Sequence, residues 1–228
     1  MKLPPKRSTA NRNHTLHWQP RFSPVPGVTL PVLTARGPLI IDYLHRAYRV
    51  FEKAMQAHSR VIVCCFTLTL PLGITLPDDA HSNAAIGRFL RSVKSRVTAD
   101  LYRKRSPHKS PVRYIVAREM SGSKRPHFHV ILLLNGHAYK TVGTIGYEGS
   151  NLFGIVAKAW ASALRVKPEE AVTRVKVGNR NSRVGYYYLT PEDGYASLPD
   201  AFRRTSYLCK RDTKEFGDHY RGLLTSEI

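Results

Sequence analysis

Acidic residues are scarce in this chain. Of 228 residues, 16 are Asp or Glu against 36 Lys or Arg, a formal charge of +20. A compact domain carries such an excess comfortably only when a polyanion shares it, which points to nucleic acid or an anionic membrane surface. Long apolar runs are also missing. The longest, residues 61–72 (VIVCCFTLTLPL), is too short for a spanning helix and too β-branched for an amphipathic anchor, so a membrane partner is not expected. The basic N-terminal stretch MKLPPKRSTANRNH has no apolar segment behind it and does not read as a secretory signal, so a cytoplasmic location is expected. Cysteine is sparse: Cys64, Cys65 and Cys209 make neither a disulfide framework nor a CxxC knuckle, which excludes structural zinc and suits a reducing compartment. No internal repeat is visible. With 42% hydrophobic and 23% charged residues, wholesale disorder is excluded as well.

Patterning divides what is there into an arm and one domain. Residues 1–37 hold Pro4, Pro5, Pro20, Pro24, Pro26 and Pro31 among scattered basic residues without a sustained period, the composition of an extended basic arm. No linker interrupts 38–228. From residue 39 to about 58, the spacing of Ile40, Leu44, Ala47, Phe51 and Ala54 predicts a helix, and residues 61–70 read as a buried strand closed by Pro71 and Gly73. Asp78, Asp79 and Ser82 supply capping and first-turn acids for a second helix with a stripe at Ile86, Phe89, Leu90, Val93, Val97 and Leu101. Residues 112–119 and 127–134 read as an antiparallel hairpin around a polar loop at 120–126. Leu152, Ile155, Val156, Ala159 and Ala163 mark a third helix, 171–177 a further strand, and a capping box at 197–200 a last helix running through Tyr207 towards 213. The expected class is α+β, helices against a central, mainly antiparallel sheet, in the manner of a ferredoxin-like or RRM-like sandwich.

Three groups of residues suggest chemistry. His127 and His129, the chain's one His-x-His, fall on one face of the second hairpin strand, and if the loop keeps Glu119 opposite His127 the carboxylate lies on the same face, about 5 Å away between Cβ atoms. Two nitrogens and a carboxylate can hold a divalent ion with positions left open for phosphate oxygens, a set that suits Mn²⁺ or Mg²⁺. The structural alternative is a pair of packed histidines beside a surface Glu119, but the flank RPHFHVILLL runs straight into a core, and a paired polar break there is hard to explain by packing. Tyr207 alone among 12 tyrosines has a lysine three residues on, Lys210, which a helix brings to the same face. A cation there lowers the phenol's pKa and stabilises charge on a phosphate, so Tyr207 is a candidate nucleophile on phosphorus. Simple packing of Tyr207 is the alternative, and Tyr186, Tyr187 and Tyr188 form a second aromatic cluster, with Tyr187 and Tyr188 as rival nucleophiles. Third, Arg88, Arg91, Lys94, Arg96, Arg103, Lys104 and Arg105 make the outer face of the second helix basic, and with Lys124, Arg125, Arg203 and Arg204 they are candidate phosphate contacts.

Taken in order, FTLT at 66–69, HFHV at 127–130 and YLCK at 207–210 resemble the three motifs of the HUH endonucleases, the rolling-circle replication initiators. Over roughly residues 60–215, the flanks REMSGSKRPHFHVILLLNG, YYYL and SYLCKRDTK are most similar to the inovirus gene-2-type replication proteins, while the ending EFGDHYRGLLTS matches only loosely. The resemblance implies an HUH-like nuclease fold, a metal held by His127, His129 and Glu119, and Tyr207 as nucleophile with Lys210 as its base or phosphate-orienting cation. The implied activity is site-specific nicking and religation of single-stranded DNA through a 5′-phosphotyrosine, initiating replication of a phage or plasmid in a bacterial host. The implied partners are single-stranded DNA or an origin hairpin, then a host helicase and polymerase. The rival expectation is a non-catalytic DNA- or RNA-binding module on the same fold.

Overall fold

The computed structural model describes residues 6–120, 125–146, 151–178, 185–214 and 220–226. Fifteen strands and α-helices follow the chain among these residues, beginning with β1 (Leu16–His17), the hairpin β2 (Arg21–Val25) and β3 (Val28–Pro31), and β4 (Leu39–Ile40). Then come α1 (Ile41–Ala57), β5 (Val61–Thr69), α2 (Asn83–Arg103), β6 (Arg113–Met120) and β7 (Pro126–Asn135). The remainder is α3 (Leu152–Leu164), α4 (Pro168–Val172), β8 (Val175–Val177), β9 (Tyr186–Leu189), α5 (Leu198–Ser206) and β10 (Leu223–Thr225).

The architecture is α+β. The main sheet runs β10-β6-β7-β5, with β8 and β9 sharing the outer edge of β5, and every pairing in it is antiparallel. The central strands bury both faces because helices cover each side, which is why β5 and β7 read as nearly continuous apolar runs. One core lies under α2 and α3 and contains Phe66, Leu68, Phe128, Val130 and Trp160. The other lies under α1 and α5 and contains Cys65, Ile115, Ile131, Leu133, Phe51 and Phe202. In α2, the Ser82 hydroxyl accepts from the Ala84 N–H at 3.0 Å as N-cap, and all six residues of its expected stripe are buried. In α3, nearly every residue is buried, and the Trp160 indole N–H donates to the Thr69 carbonyl at 2.9 Å, tying the helix to the end of β5.

Several expectations need correction. The arm is not merely extended: β1 pairs with β4, and β2 folds on β3 through a Pro26-Gly27 turn with Gly27 at φ +79°. Residues 16–32 bury Leu16, Phe22, Leu30 and Val32 in the core under α1 and α5, apolar residues too widely spaced to give a period. The strand expected over 171–177 is a short helix, α4, followed by the three residues of β8; Pro168 at its start and Glu169 and Glu170 in its first turn favour the helix. The last helix stops at Ser206, passes through a 3₁₀ turn at Tyr207–Cys209, and is extended at Lys210. The sequence reading did not include β10, which pairs with the outer edge of β6.

Candidate active site

Register gathers the chemistry at one end of the sheet. Thr67 pairs with His129 and Thr69 with His127 across β5 and β7, while Glu119 pairs with His127 and Ala117 with His129 across β6 and β7. Alternation sets these side chains on the face that α1 and α5 cover, beyond Cys65 and Ile131. The expected opposition of Glu119 and His127 is present, yet the direct partner of the carboxylate is the diagonal neighbour: His129 Nε2 lies 3.1 Å from Glu119 Oε2. His129 Nδ1 lies 3.2 Å from the Thr67 hydroxyl, so both ring nitrogens are engaged and the imidazole plane is set.

Glu119 is the hub. Only 6% of it is exposed, and its Oε1 accepts from the Thr213 hydroxyl at 2.9 Å and from Lys214 Nζ at 3.2 Å. Burial opposes its charge, but the His129 hydrogen bond, the Lys214 ammonium and the Thr213 hydroxyl outweigh burial and hold the carboxyl at about 2, so it is ionised at neutral pH. Lys214 is itself buried, and desolvation pulls its pKa down against the opposing pull of Glu119. Burial first, and then the charge of His129, lower the pKa of His127.

Tyr207 reaches the hub from the 3₁₀ turn. Its hydroxyl donates to Glu119 Oε2 at 3.4 Å, a long hydrogen bond, and its ring meets His129 edge-on, with centroids 5.3 Å apart. Lys210 is beside it, as the sequence spacing required, but Nζ sits 4.6 Å from the ring centroid, over the π face. The expected acidification of the phenol is therefore corrected: burial and the adjacent Glu119 raise the Tyr207 pKa, and only Arg36 works the other way. Burial and the like charge of Arg36 lower the pKa of Lys210.

His127, His129 and Glu119 have the right donor chemistry and share a face, but among the described residues no three His, Cys, Asp or Glu side chains are grouped to hold an ion. Glu119 directs both oxygens at His129, Tyr207, Thr213 and Lys214, so an ion would compete with a built-in ammonium for it.

The basic candidates separate. Arg88 makes a bidentate pair with Asp79 at 2.6 and 2.7 Å and donates to the Ala163 carbonyl, while Arg103 and Lys104 neutralise the buried Asp100 at 2.8 and 2.7 Å. Lys94 lies over the Tyr114 ring, and Arg91 and Arg105 are exposed. All six belong to α2 or its end, on the sheet face opposite the Glu119 cluster. Arg125 donates to the Pro71 carbonyl at 2.9 Å, Arg203 is exposed on α5, and Lys124 lies outside the described residues. Arg204, by contrast, lines a cavity of about 860 Å³ together with Tyr207, His129, Thr67, Arg36 and Lys176.

Neither rival tyrosine joins the cluster. Tyr188 packs on the α2–α3 side, with Tyr186 at 5.6 Å and Arg60 over its ring at 5.9 Å. Tyr187 is on the site's face but pairs with Val63, four residues before Thr67 and about 13 Å away along the strand.

The N-terminal segment holds the Tyr207 turn in place. The Leu33 N–H donates to the Ser206 hydroxyl at 2.9 Å, the Arg211 N–H donates to the Pro38 carbonyl at 3.1 Å, and Leu39 bridges Lys210. Gly37, at φ +104°, passes so close to the Asp212 carboxylate that a Cβ would collide with it. Sequence reasoning did not single out Thr213, Lys214, Arg36 or Lys176. The first two were visible only as the RDTK that follows YLCK, and Arg36 and Lys176 gave no periodic signal.

Together these features define an α+β protein with a buried carboxylate, an imidazole and a phenol joined at one end of an antiparallel sheet, beside a cation-lined cavity. By sequence, the chain belongs to the YagK/YfjJ C-terminal domain family, whose pattern matches residues 29–225. It is 29% identical to the uncharacterized protein YagK of Escherichia coli K12 over 171 residues, 73% of this chain and 74% of YagK. It is 25% identical to the uncharacterized protein YfjJ of the same strain over 199 residues, 82% of this chain and 94% of YfjJ. No solved structure matches it.

Proposed function

We propose that the chain is a tyrosine-dependent nickase and religase of single-stranded DNA that initiates rolling-circle replication of a phage or plasmid in the cytoplasm of a bacterial host. The observation that carries this reading is the hydrogen bond from Tyr207 to the buried Glu119–His129 pair, beside a cavity with positive charge around it. Glu119 orients the phenol and is the acceptor already in contact with its proton. Because the phenol's pKa is raised, that proton leaves during attack and not before it. The bond from Tyr207 Oη to phosphorus forms as the bond from phosphorus to the 3′-oxygen breaks, and the proton passes by way of Glu119 to the departing oxygen. The products are a 5′-phosphotyrosine and a free 3′-hydroxyl, which primes synthesis by a host polymerase behind a host helicase; the reverse step religates. Lys210 contributes positive charge next to the ring. Mn²⁺ or Mg²⁺ held by His127 and His129, with Glu119 Oε1 released from Thr213 and Lys214 while Oε2 keeps Tyr207, would add Lewis-acid polarisation of the phosphate.

In a denaturing gel with labelled single-stranded hairpins, the wild-type chain is expected to give a covalent protein–DNA band with Mn²⁺ that chelator removes. Tyr207→Phe should abolish the band and leave binding intact; a band that survives this change ends the assignment. The full satisfaction of Glu119 by His129, Thr213 and Lys214 favours a second reading, a structural knot within a non-catalytic DNA- or RNA-binding module. That module would show salt-dependent binding and no covalent band.

A further inference from the structure

No step of the proposed reaction gives a role to the individual cations of the cavity beside Tyr207. Its residues come from the segment before β4 (Leu33, Arg36), from β8 (Lys176, Val177) and from α5 and its turn (Arg204, Tyr207), and none of those lining it is acidic. Arg36 and Lys176 are exposed, and neither is ion-paired among the described residues. Among the described residues, three cations from three elements thus face one concavity with no carboxylate in its lining. Leu33, Ile131 and Leu208 supply an apolar wall, and Ile145, 61% exposed, stands in the lining. An isolated aliphatic side chain held in water next to uncompensated cations suits a ligand with both an apolar face and negative charge. At about 860 Å³ the cavity falls within the range of roughly 300–1,000 Å³ typical of small-ligand sites.

We propose that this cavity seats one unstacked nucleotide of a DNA single strand, its base against Leu33, Ile131 and Ile145 and its flanking phosphates on Arg36, Lys176 and Arg204. The proposal rests on the nuclease reading for the identity of the strand and extends it, because phosphate contact moves from the basic face of α2 to the N-terminal segment, β8 and α5. The α2 face is separated from Tyr207 by the sheet, and Arg88, Arg103 and Lys104 are already neutralised there. An unstacked base requires a single strand, so duplex is discriminated against without any sequence readout.

The test uses the full chain carrying Tyr207→Phe, so that binding is read without covalent capture, and fluorescence anisotropy of a labelled DNA oligonucleotide over a salt series. Arg36→Ala with Lys176→Ala should weaken single-strand binding roughly tenfold and flatten the slope of log K against log salt by about 1.4, the release expected for two phosphates. Arg49→Ala removes the same kind of charge from the exposed face of α1 and should leave the slope unchanged. Unchanged melting temperatures establish that the variants fold. Double-variant binding equal to that of Arg49→Ala, duplex bound as tightly as single strand, RNA of the same sequence bound more tightly than DNA, or no binding at all each overturns the proposal. Arg36- and Lys176-dependent binding by a chain that never nicks supports the cavity and ends the nuclease reading. Nicking with cavity variants at full affinity does the opposite.

Discussion

At the scale of single residues, Glu119 and Lys214 form a buried ion pair, 3.2 Å apart. A buried ammonium left without its carboxylate is costly, so Glu119→Gln should destabilise the chain at pH 7 by about 3–5 kcal/mol in urea unfolding. The sign of the pH dependence follows from the direction of the shift. Glu119 is held below its ordinary 4.5, at about 2, so its contribution is complete above about pH 4.5 and is lost as pH falls towards 2. That difference is worth roughly 3 kcal/mol, part of which the desolvation of Lys214 offsets. The stability gap between wild type and Glu119→Gln should therefore narrow between pH 4.5 and pH 2, and a gap indifferent to pH there would show that Lys214 does not depend on Glu119. His127, His129, Glu119, Tyr207 and Lys210 could be singled out from sequence because each belongs to a short local spacing. Lys214 could not, because burial turns an ordinary surface lysine into a partner of Glu119, and burial is a property of the fold.

At the scale of elements, the N-terminal hairpin is the main departure from expectation. Phe22 stacks on the fully buried Phe202 at 6.3 Å with rings 9° apart, and β2–β3 thereby becomes part of the core under α5. Phe22→Ala should cost about 3–5 kcal/mol, the range for a phenylalanine removed from a packed interior, as measured by the urea midpoint. A cost near zero would return residues 16–32 to the status of an arm. The strongly periodic segments, α1, α2, α3 and the β6–β7 hairpin, were legible because a buried stripe or a tight turn is written locally. The irregular ones were not. Whether 171–177 is strand or helix depends on how α4 packs on α3, and whether Tyr207 continues α5 depends on the crossing of residues 33–38 that bind Ser206 and Arg211.

At the scale of the whole molecule, charge dominates. A net +20 repels itself, and salt screens that repulsion over a Debye length of roughly 10 Å at 0.1 M. The melting temperature of the free chain should rise with added NaCl, by about 2–4 °C for each kcal/mol of repulsion relieved. A flat or falling curve would mean that internal pairs such as Asp79–Arg88 and Asp100–Lys104 already balance the field. By itself, the sequence determined the α+β class, the hairpin that sets Glu119 against His127, and the pairing of Tyr207 with Lys210, since each follows from alternation or spacing within a few residues. Only the tertiary structure decided that Glu119 binds His129, Tyr207 and Lys214, that the basic face of α2 lies across the sheet from them, and that Arg36 and Lys176 meet Arg204 around a cavity. Those contacts join residues far apart in the chain, and no local period encodes which distant side chains packing will bring together.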